Sequence, residues 1–278
     1  MFELALIGAG NMAGEIGMRL VKYGGYLPEQ IIATHYHPAK ADSFQKKTNI
    51  PTVLDNRYAV ENSKITVLCV RPQQIKAVVD EIASVFPKER GILVTLAVGR
   101  WLSWISARLQ TVNVGHFHPT SLLMVTERWN PGPSLWVAHP QMDKHVEGQV
   151  RGIFEKSIGE IWQISREDEL PPLIYLVGNA PAHLVRILQA FVQAVQERIG
   201  ETNVNALQIY RVLLASLYQG IVLEQKSPHE VIERIATKQG VTRAGLNILD
   251  EVADALAREL ILVSIQRIEE LANISTEV

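Results

Sequence analysis

A glycine-rich turn near the N-terminus offers a site for a dinucleotide. Gly8, Gly10 and Ala13 give the spacing G-x-G-x-x-A within the run GAGNMA at residues 8–13. Gly8 permits a tight turn, Gly10 lets a pyrophosphate approach the backbone because it lacks Cβ, and Ala13 permits close packing of a helix on a strand. The turn lies between a predicted strand and a predicted helix, so the first N–H groups of that helix would face the phosphates. The motif predicts dinucleotide binding, and a glycine-rich turn that merely packs is the alternative.

The end of the second predicted strand bears on which dinucleotide is bound. An NAD site would place Asp or Glu about 20 residues after the glycines, on the ribose hydroxyls. Residues 34–40 read THYHPAK, which brings Thr34 and His35 to this position and contains no acid. A phosphate on the ribose would be accepted there rather than repelled. We therefore expect NADPH, with NADH possible if His35 and His37 are ordinary surface residues.

Two histidines could take part in the chemistry. His116 and His118 alternate along a predicted strand, so both point to one face near the carboxyl end of the sheet, where α/β proteins bind ligands. One could be a general acid or a substrate ligand, both could be structural, or with His183 they could hold a metal. No set of three or four convergent ligands is evident, so we expect no metal. The single cysteine, Cys69, excludes an intrachain disulfide and is expected to be a small buried residue.

The elements that must position these residues begin with an α/β half. Short apolar strands alternate with helical patterns, which predicts a mainly parallel sheet buried on both faces. The predicted strands are 3–7, 30–34, 65–70, 91–96, 112–117, 134–138 and 160–164, and the predicted helices are 11–23, 38–47, 73–85 and 141–156. The fold class is therefore α/β, with an N-terminal Rossmann-type doubly wound sheet followed by an all-α C-terminal dimerisation domain.

The second half reads as helices only. Pro171 and Pro172 are expected to interrupt the chain, so we divide it into a dinucleotide-binding domain, 1–168, and a helical substrate and dimerisation domain, 169–278. Ser227 to Glu230 resembles a capping box. Apolar residues from Leu246 to Val263 predict a last helix of about 28 residues. Because that helix is apolar around much of its circumference, we expect a homodimer or higher homo-oligomer, with a self-contained bundle as the alternative.

Composition excludes several classes of protein. The chain has 278 residues, 47% hydrophobic and 20% charged, with a net charge of −2, which is typical of a globular protein and offers no basic surface for nucleic acid or an anionic membrane. No apolar run of about 20 residues suggests a membrane span. No secretory signal is visible, so a cytoplasmic protein is expected.

Four motifs, in order along the chain, resemble the pyrroline-5-carboxylate reductase family. Its G-A-G-N-M-A start matches residues 8–13, and its L-x-V-K-P-Q turn matches LCVRPQ at 68–73. Its S-G-S-G-P-A-Y segment corresponds to VGNAPAH at 177–183, and its S-P-G-G-T-T-x-A-G-L segment to TKQGVTRAGL at 237–246. The first two motifs are shared by many reductases, whereas the last two are specific and altered here.

The resemblance implies reduction of a cyclic imine, pyrroline-5-carboxylate, to proline with NAD(P)H by an intertwined helical dimer. Together with the patterns above, it gives a set of candidate site residues. The cofactor candidates are Gly8, Ala9, Gly10, Asn11, Met12, Thr34, His35, Asn56, Cys69, Val70, Arg71, Pro72 and Ala97. The catalytic candidates are Thr242, Thr237 and His118, and the substrate-binding candidates are Glu167, Asn179, His183, Gly240 and Val241.

The departures from the family pattern leave other functions open. The family's P-N-T-P is HPTS at 118–121, its tyrosine is His183, and Gln239 and Val241 replace a glycine and a threonine. These changes remove donors for a substrate carboxylate. The alternatives are a regulatory relative that binds NADP(H) without turnover, a reductase redirected to another imine or an oxoacid, and a hydroxyacid or prephenate-type dehydrogenase. Thr242 could serve the substrate or simply cap the last helix.

Overall fold

The computed structural model describes residues 1–99, 101–127, 130–200, 205–237 and 239–276, with side chains as far as residue 271. Lys238, in the altered segment 237–246, therefore lies outside the described residues. By contacts the chain divides into two compact units, one formed by Met1–Asn179 with Ser264–Val278 and the other by Ala180–Val263. Each unit is described by itself below.

The first unit is built on a mainly parallel sheet with helices between its strands, as predicted. The strands of the described chain are β1 (Phe2–Ile7), β2 (Ile31–Thr34), β3 (Thr52–Val53), β4 (Ser63–Leu68), β5 (Ile92–Thr95), β6 (Val114–His118), β7 (Ser134–Ala138) and β8 (Ile161–Gln163). Their order is β3-β2-β1-β4-β5-β6-β7-β8, and within it only β6 and β7 pair antiparallel. The order reverses direction between β1 and β4, which is where open α/β sheets bind ligands.

Helices connect these strands and cover both faces of the sheet. They are α1 (Asn11–Lys22), α2 (Pro38–Thr48), α3 (Asn56–Glu61), α4 (Ile75–Ile82), α5 (Leu102–Leu109) and α6 (Lys144–Ile158). Alternate residues of β1 enter two separate cores, with Ala5 and Ile7 in one and Leu4 and Leu6 in the other, and all four are fully buried. A strand covered on both sides must be apolar at every position, which explains the continuous apolar runs of the sequence.

Several predicted elements differ in extent or were missed. The predicted strand 65–70 ends at Leu68, and the predicted helix 73–85 becomes a 3₁₀ turn, Pro72–Gln74, followed by α4. The strand β3 and the helices α3 and α5 were not predicted. They are two to eight residues long, and so short a stretch holds too little periodicity to be recognised.

The expectation that Pro171 and Pro172 interrupt the chain was wrong. Both lie in the first turn of α7 (Leu170–Ile174), where a missing N–H donor costs nothing because no carbonyl precedes it in the helix. A π-helical turn, Tyr175–Asn179, follows directly and leads into α8 (Ala180–Ile199). The contact division falls at the end of this turn, whereas the domain boundary at residue 168 stays a prediction.

The described part of the second unit is helical. After α8 come α9 (Ala206–Tyr218), a π-helical turn (Gln219–Leu223), α10 (Pro228–Ile235) and α11 (Val241–Thr276). The capping box of α10 is confirmed, since Ser227 and Glu230 exchange side-chain to backbone hydrogen bonds. The last helix has 36 residues, more than predicted, and its final turns belong to the first unit, where Ile268 joins the core.

The helices of the second unit expose an unusual amount of apolar surface. Phe191, Leu214 and Leu256 are each between 45% and 48% exposed, and among the described residues of this unit only Ala206 and Ala236 are buried. The 18 residues 206–223 have a mean hydropathy of 1.4, so this segment is long and apolar enough to cross a membrane. This finding qualifies the expectation from the sequence that no such segment exists. Apolar surface of this extent needs a cover, which a protein partner provides as well as a lipid does.

Replacing Gly115 by Ala should destabilise the sheet. A Cβ at Gly115 would lie 2.7 Å from Cζ2 of Trp136, and that indole is fully buried with no room to yield. We expect a loss of about 1–3 kcal/mol in the free energy of unfolding, measured by chemical denaturation. Gly152→Ala is the matched control, since a Cβ at Gly152 meets nothing within 4 Å. Equal stability of the two variants would contradict this packing.

Candidate functional site

The glycine turn after β1 is fixed by its contacts with two neighbouring strands. Gly8 has a φ of +99°, and a Cβ there would lie 2.7 Å from Cγ1 of Val70, so only glycine fits. The backbone N–H groups of Gly8 and Ala9 both donate to the carbonyl oxygen of Thr34, at 3.2 and 2.7 Å. The turn is therefore held between the ends of β2 and β4.

The start of α1 is open. Gly10 is its N-cap, contributes no side-chain cap, and is followed by a first turn without acidic residues. A Cβ at Gly10 would meet nothing within 4 Å, and both Gly10 and Asn11 are exposed. Uncapped N–H groups at the positive end of a 12-residue helix, with free space in front of them, form a site suited to an anion such as a pyrophosphate.

Turns from the ends of β4 and β5 lie beside the glycine turn. The N–H of Cys69 donates to the carbonyl of Ile7 at 2.8 Å, and the N–H of Leu96 donates to the carbonyl of Leu68 at 3.0 Å. The predicted cofactor residues 69–72 and Ala97 are thus brought to one edge of the sheet. Burial raises the pKa of the Cys69 thiol to about 12, which keeps it protonated and leaves its backbone as the group available to a ligand.

Asn56 links the end of β2 to α4. Its side-chain oxygen accepts a hydrogen bond from Oγ1 of Thr34 at 2.6 Å, and its amide nitrogen donates to Glu81 at 2.9 Å. It is the first residue of α3, and Asp55 caps that helix by accepting from the N–H of Tyr58. Asn56 therefore holds Thr34, whose carbonyl fixes the glycine turn, in addition to its predicted role at the cofactor.

A small basic cluster follows β2. The rings of His35 and Tyr36 stack with centroids 4.9 Å apart, and the N–H of His37 donates to Nδ1 of His35 at 3.0 Å. Partial burial, then Lys40 and then His37, lower the pKa of His35 below its ordinary value of 6.5. The field at His35 is therefore positive, which suits a phosphate group.

His116 and His118 lie on the same face of β6, as predicted. His116 is fully buried, His118 is half-buried, and their ring centroids are 6.1 Å apart. Burial lowers the pKa of His118 to about 4, while burial and the neighbouring His118 lower that of His116 to about 3, so both are neutral near pH 7. Both ring nitrogens of His116 and Nδ1 of His118 are buried without a hydrogen-bond partner. A neutral imidazole is a hydrogen-bond partner rather than a ready proton donor, which disfavours the general-acid role expected for His118.

The π-helical turn Tyr175–Asn179 covers the end of β6. The carbonyl of Val177 accepts from Oγ1 of Thr120 at 3.3 Å. Gly178 lies beside His118, because a Cβ there would be in van der Waals contact with Nε2 of that histidine, at 3.4 Å. Sequence reasoning missed Thr120 and Gly178 as contacts, since nothing in the sequence indicates a π-helical turn. No group of three or more metal-ligating side chains occurs among the residues whose positions are described.

Two further candidates in the first unit have different surroundings. Oε1 of Glu167 accepts hydrogen bonds from the N–H groups of Trp101 at 2.7 Å and Leu102 at 3.0 Å, at the start of α5. Asn179 ends the π-helical turn and is half-buried. The two hydrogen bonds described for Glu167 are those of a helix cap, and its predicted role in substrate binding stays a prediction.

The remaining candidates lie in the second unit. His183 is in α8, and α11 begins at Val241, which is 92% exposed. The carbonyl of Gly240 accepts from the N–H of Ala244, so Gly240 rather than Thr242 is the N-cap. Thr242 is the second residue of the helix, and Thr237 and Thr242 are both exposed. The simple alternative that Thr242 caps the last helix is therefore wrong, and its hydroxyl is accessible beside the first turn of α11.

Comparisons with known proteins match two separate parts of the chain to family models. Residues 3–99 match the family model "NADP oxidoreductase coenzyme F420-dependent", and residues 167–271 match "Pyrroline-5-carboxylate reductase dimerisation". The chain is 24% identical to a pyrroline-5-carboxylate reductase of Pasteurella multocida over 90% of each chain, and 24% identical to that of Pseudomonas aeruginosa over 97% of each. Its fold is similar to the solved pyrroline-5-carboxylate reductase of Coxiella burnetii, with a TM-score of 0.81, 25% identity and 98% of each chain covered.

Two substitutions in the glycine turn should separate folding from binding. Gly8→Ala forces a side chain into a positive φ and against Val70, so we expect the free energy of unfolding to fall by about 1–3 kcal/mol. Gly10→Ala meets open space and should leave stability within about 0.5 kcal/mol of the wild type. Chemical denaturation of both variants checks this, and a stable Gly8→Ala protein would refute the described turn.

Proposed function

We propose, from the place of this chain as a divergent member of the pyrroline-5-carboxylate reductase family, that it is an NADPH-dependent reductase of a cyclic imine. Pyrroline-5-carboxylate is the first substrate to test. The observation that carries the proposal is the open start of α1 at the point where the strand order reverses, in a chain whose relatives of that name match over nine-tenths of its length or more. A cytoplasmic location, without nucleic-acid or membrane partners, is part of the proposal.

The glycine turn binds the cofactor's pyrophosphate in this proposal. The N–H groups at the start of α1 would hold the phosphates, and Gly10 leaves room for them because it has no side chain. The turns after β4 and β5, including Val70, Arg71 and Ala97, lie where the nicotinamide half would rest. When bound, the nicotinamide supplies a hydride to the carbon of the C=N group.

The basic cluster after β2 distinguishes NADPH from NADH. His35, His37 and Lys40 follow β2, where the adenosine ribose would lie. The hydroxyl of Thr34 donates to the side chain of Asn56 rather than to an acidic side chain. Burial lowers the pKa of His35 most, and Lys40 and His37 lower it further; a 2′-phosphate placed there would offset the charge of these two neighbours.

Groups that suit part of an imino-acid substrate occur in each unit, and each unit is described by itself. In the second unit, the first N–H groups of α11 and the hydroxyl of Thr242 suit a carboxylate, with Thr237 beside Gly240. In the first unit, neutral His118 behind Gly178 suits the reacting group. The reduction of a protonated imine requires no further proton, because the electron pair of the C=N bond returns to a nitrogen that already carries hydrogen. A neutral imidazole is compatible with that chemistry.

Assembly completes the proposal. The dimerisation model over residues 167–271 and the exposed apolar faces of α8, α9 and α11 make this chain a homo-oligomer, and we propose that the smallest unit is a dimer. On this basis the apolar segment 206–223 is covered by a second copy of the chain rather than by lipid.

The proposed function is tested by binding and turnover together. The purified protein should bind NADPH and oxidise it in the presence of pyrroline-5-carboxylate, followed by absorbance of the reduced nicotinamide. Gly10→Asp should weaken NADPH binding at least about a hundredfold, because it places a carboxylate against the pyrophosphate, while Gly148→Asp on α6 should not. Binding without turnover on any cyclic imine would favour a regulatory relative, and turnover confined to oxoacids would refute C=N specificity.

The preference for NADPH should depend on pH through His35. Because the pKa of His35 lies below its ordinary value, the imidazole is neutral at mildly alkaline pH and gains a proton as the pH falls. The ratio of NADPH to NADH affinity should therefore rise severalfold from about pH 8 to about pH 6, and His35→Gln should flatten the rise. Titrations of both cofactors at each pH measure the ratio. A ratio that does not change with pH in the wild type would exclude this contact.

A further inference from the structure

One carboxylate caps a helix that lies far from it in the chain. Oε1 of Glu167 accepts from the N–H groups of Trp101 and Leu102 at 2.7 and 3.0 Å. These residues open α5, which has no side-chain cap and no acidic residue in its own first turn. A carboxylate at this position satisfies two N–H groups that the helix cannot pair and opposes the positive end of its dipole. Glu167 thus provides the cap that the sequence of α5 lacks.

The start of α5 also ends the loop that follows β5. Trp101 is 1% exposed, and its indole N–H donates to the carbonyl of Val98 in this loop at 2.9 Å. Gly99, also in the loop, has a φ of +130°. At the other end of the loop, the N–H of Leu96 donates to the carbonyl of Leu68. The described residues of this loop, Ala97 among them, are therefore held by β4 at one end and by Glu167 at the other.

Glu167 also begins the segment that covers β6. From its 3₁₀ turn the chain passes through α7 to the π-helical turn, where Val177 accepts from Thr120 and Gly178 lies beside His118. All of these residues belong to the first unit. A single side chain consequently connects the start of α5 with the segment over the end of β6.

We infer that Glu167 is a positioning residue, which acts on the reaction by holding the loop after β5 against β4 and does not touch the substrate. The inference rests on the proposed function, since this loop matters for catalysis only if a nicotinamide lies over it. It also differs from the substrate contact that the resemblance implies for Glu167. Small displacements of a surface that orients a reacting ring lower the reaction rate strongly, so loss of the Glu167 cap should lower kcat.

The test compares Glu167→Ala with Glu167→Gln and with Asp168→Ala. Asp168 is the matched control, because it lies in the same turn and pairs with Arg166 at 3.0 Å instead of capping α5. We expect Glu167→Ala to raise the dissociation constant for NADPH, measured without substrate, about fivefold and to lower kcat about tenfold. The KM for the imine should stay within about twofold. Glu167→Gln keeps an acceptor oxygen and should restore most of both losses, and Asp168→Ala should behave as the wild type.

Three results would overturn the inference. A rise in the imine KM alone would make Glu167 a substrate contact. A lower melting temperature with unchanged NADPH affinity and kcat would leave it a cap and nothing more. Failure of Glu167→Gln to recover either loss would exclude action through the hydrogen bonds. If Glu167→Ala does not fold, Glu167→Asp, whose shorter side chain withdraws the oxygen from Trp101 and Leu102, takes its place with the same expectations.

NADPH binding by the wild-type protein distinguishes a failure of the proposed function from a failure of the role inferred for Glu167. Wild-type protein that binds no NADPH contradicts the proposed function itself. Wild-type protein that binds NADPH, with Glu167→Ala binding it equally well and turning over equally fast, contradicts only the role of Glu167.

Discussion

The close approach of two turns, one after β1 and one after β4, is the constraint on which the site depends. Gly8 has a positive φ, and Val70 lies so close to it that a Cβ would not fit. The chain therefore turns sharply out of the sheet, and α1 begins shortly afterwards without a side-chain cap. Hydrogen bonds from Gly8 and Ala9 to Thr34, and from Cys69 to Ile7, keep this arrangement in register with the neighbouring strands. A helix start without a cap leaves N–H groups unpaired and lowers the stability of the fold slightly. A bound phosphate would pair with these N–H groups and offset that loss.

The second unit differs from the first in how little apolar surface it buries within one copy of the chain. Its helices expose large apolar side chains on several faces, and its described residues hold almost no core of their own. The last helix returns to the first unit, where Ile268 is buried. Stability of the helical unit is therefore linked to assembly, and the folded fraction of the chain should depend on its concentration.

The sequence predicts the sheet well because its strands are buried on both faces and read as continuous apolar runs. It also predicts the glycine turn, whose spacing follows from backbone geometry, and the capping box of α10. It fails where tertiary contacts decide the outcome. Pro171 and Pro172 begin a helix because Leu170 and the core fix its start, Glu167 caps α5 from a distant turn, and the π-helical turn at Gly178 has no local signal. The pairing of distant residues is not encoded in any short pattern.

A crystal structure of the protein with NADPH would show directly whether the glycine turn binds the dinucleotide. We expect pyrophosphate oxygens within hydrogen-bond distance of the backbone N–H groups at residues 10–12, the 2′-phosphate beside His35, and the nicotinamide over the turns after β4 and β5. A nucleotide bound elsewhere, or a glycine turn rearranged so that side chains fill the start of α1, would contradict it.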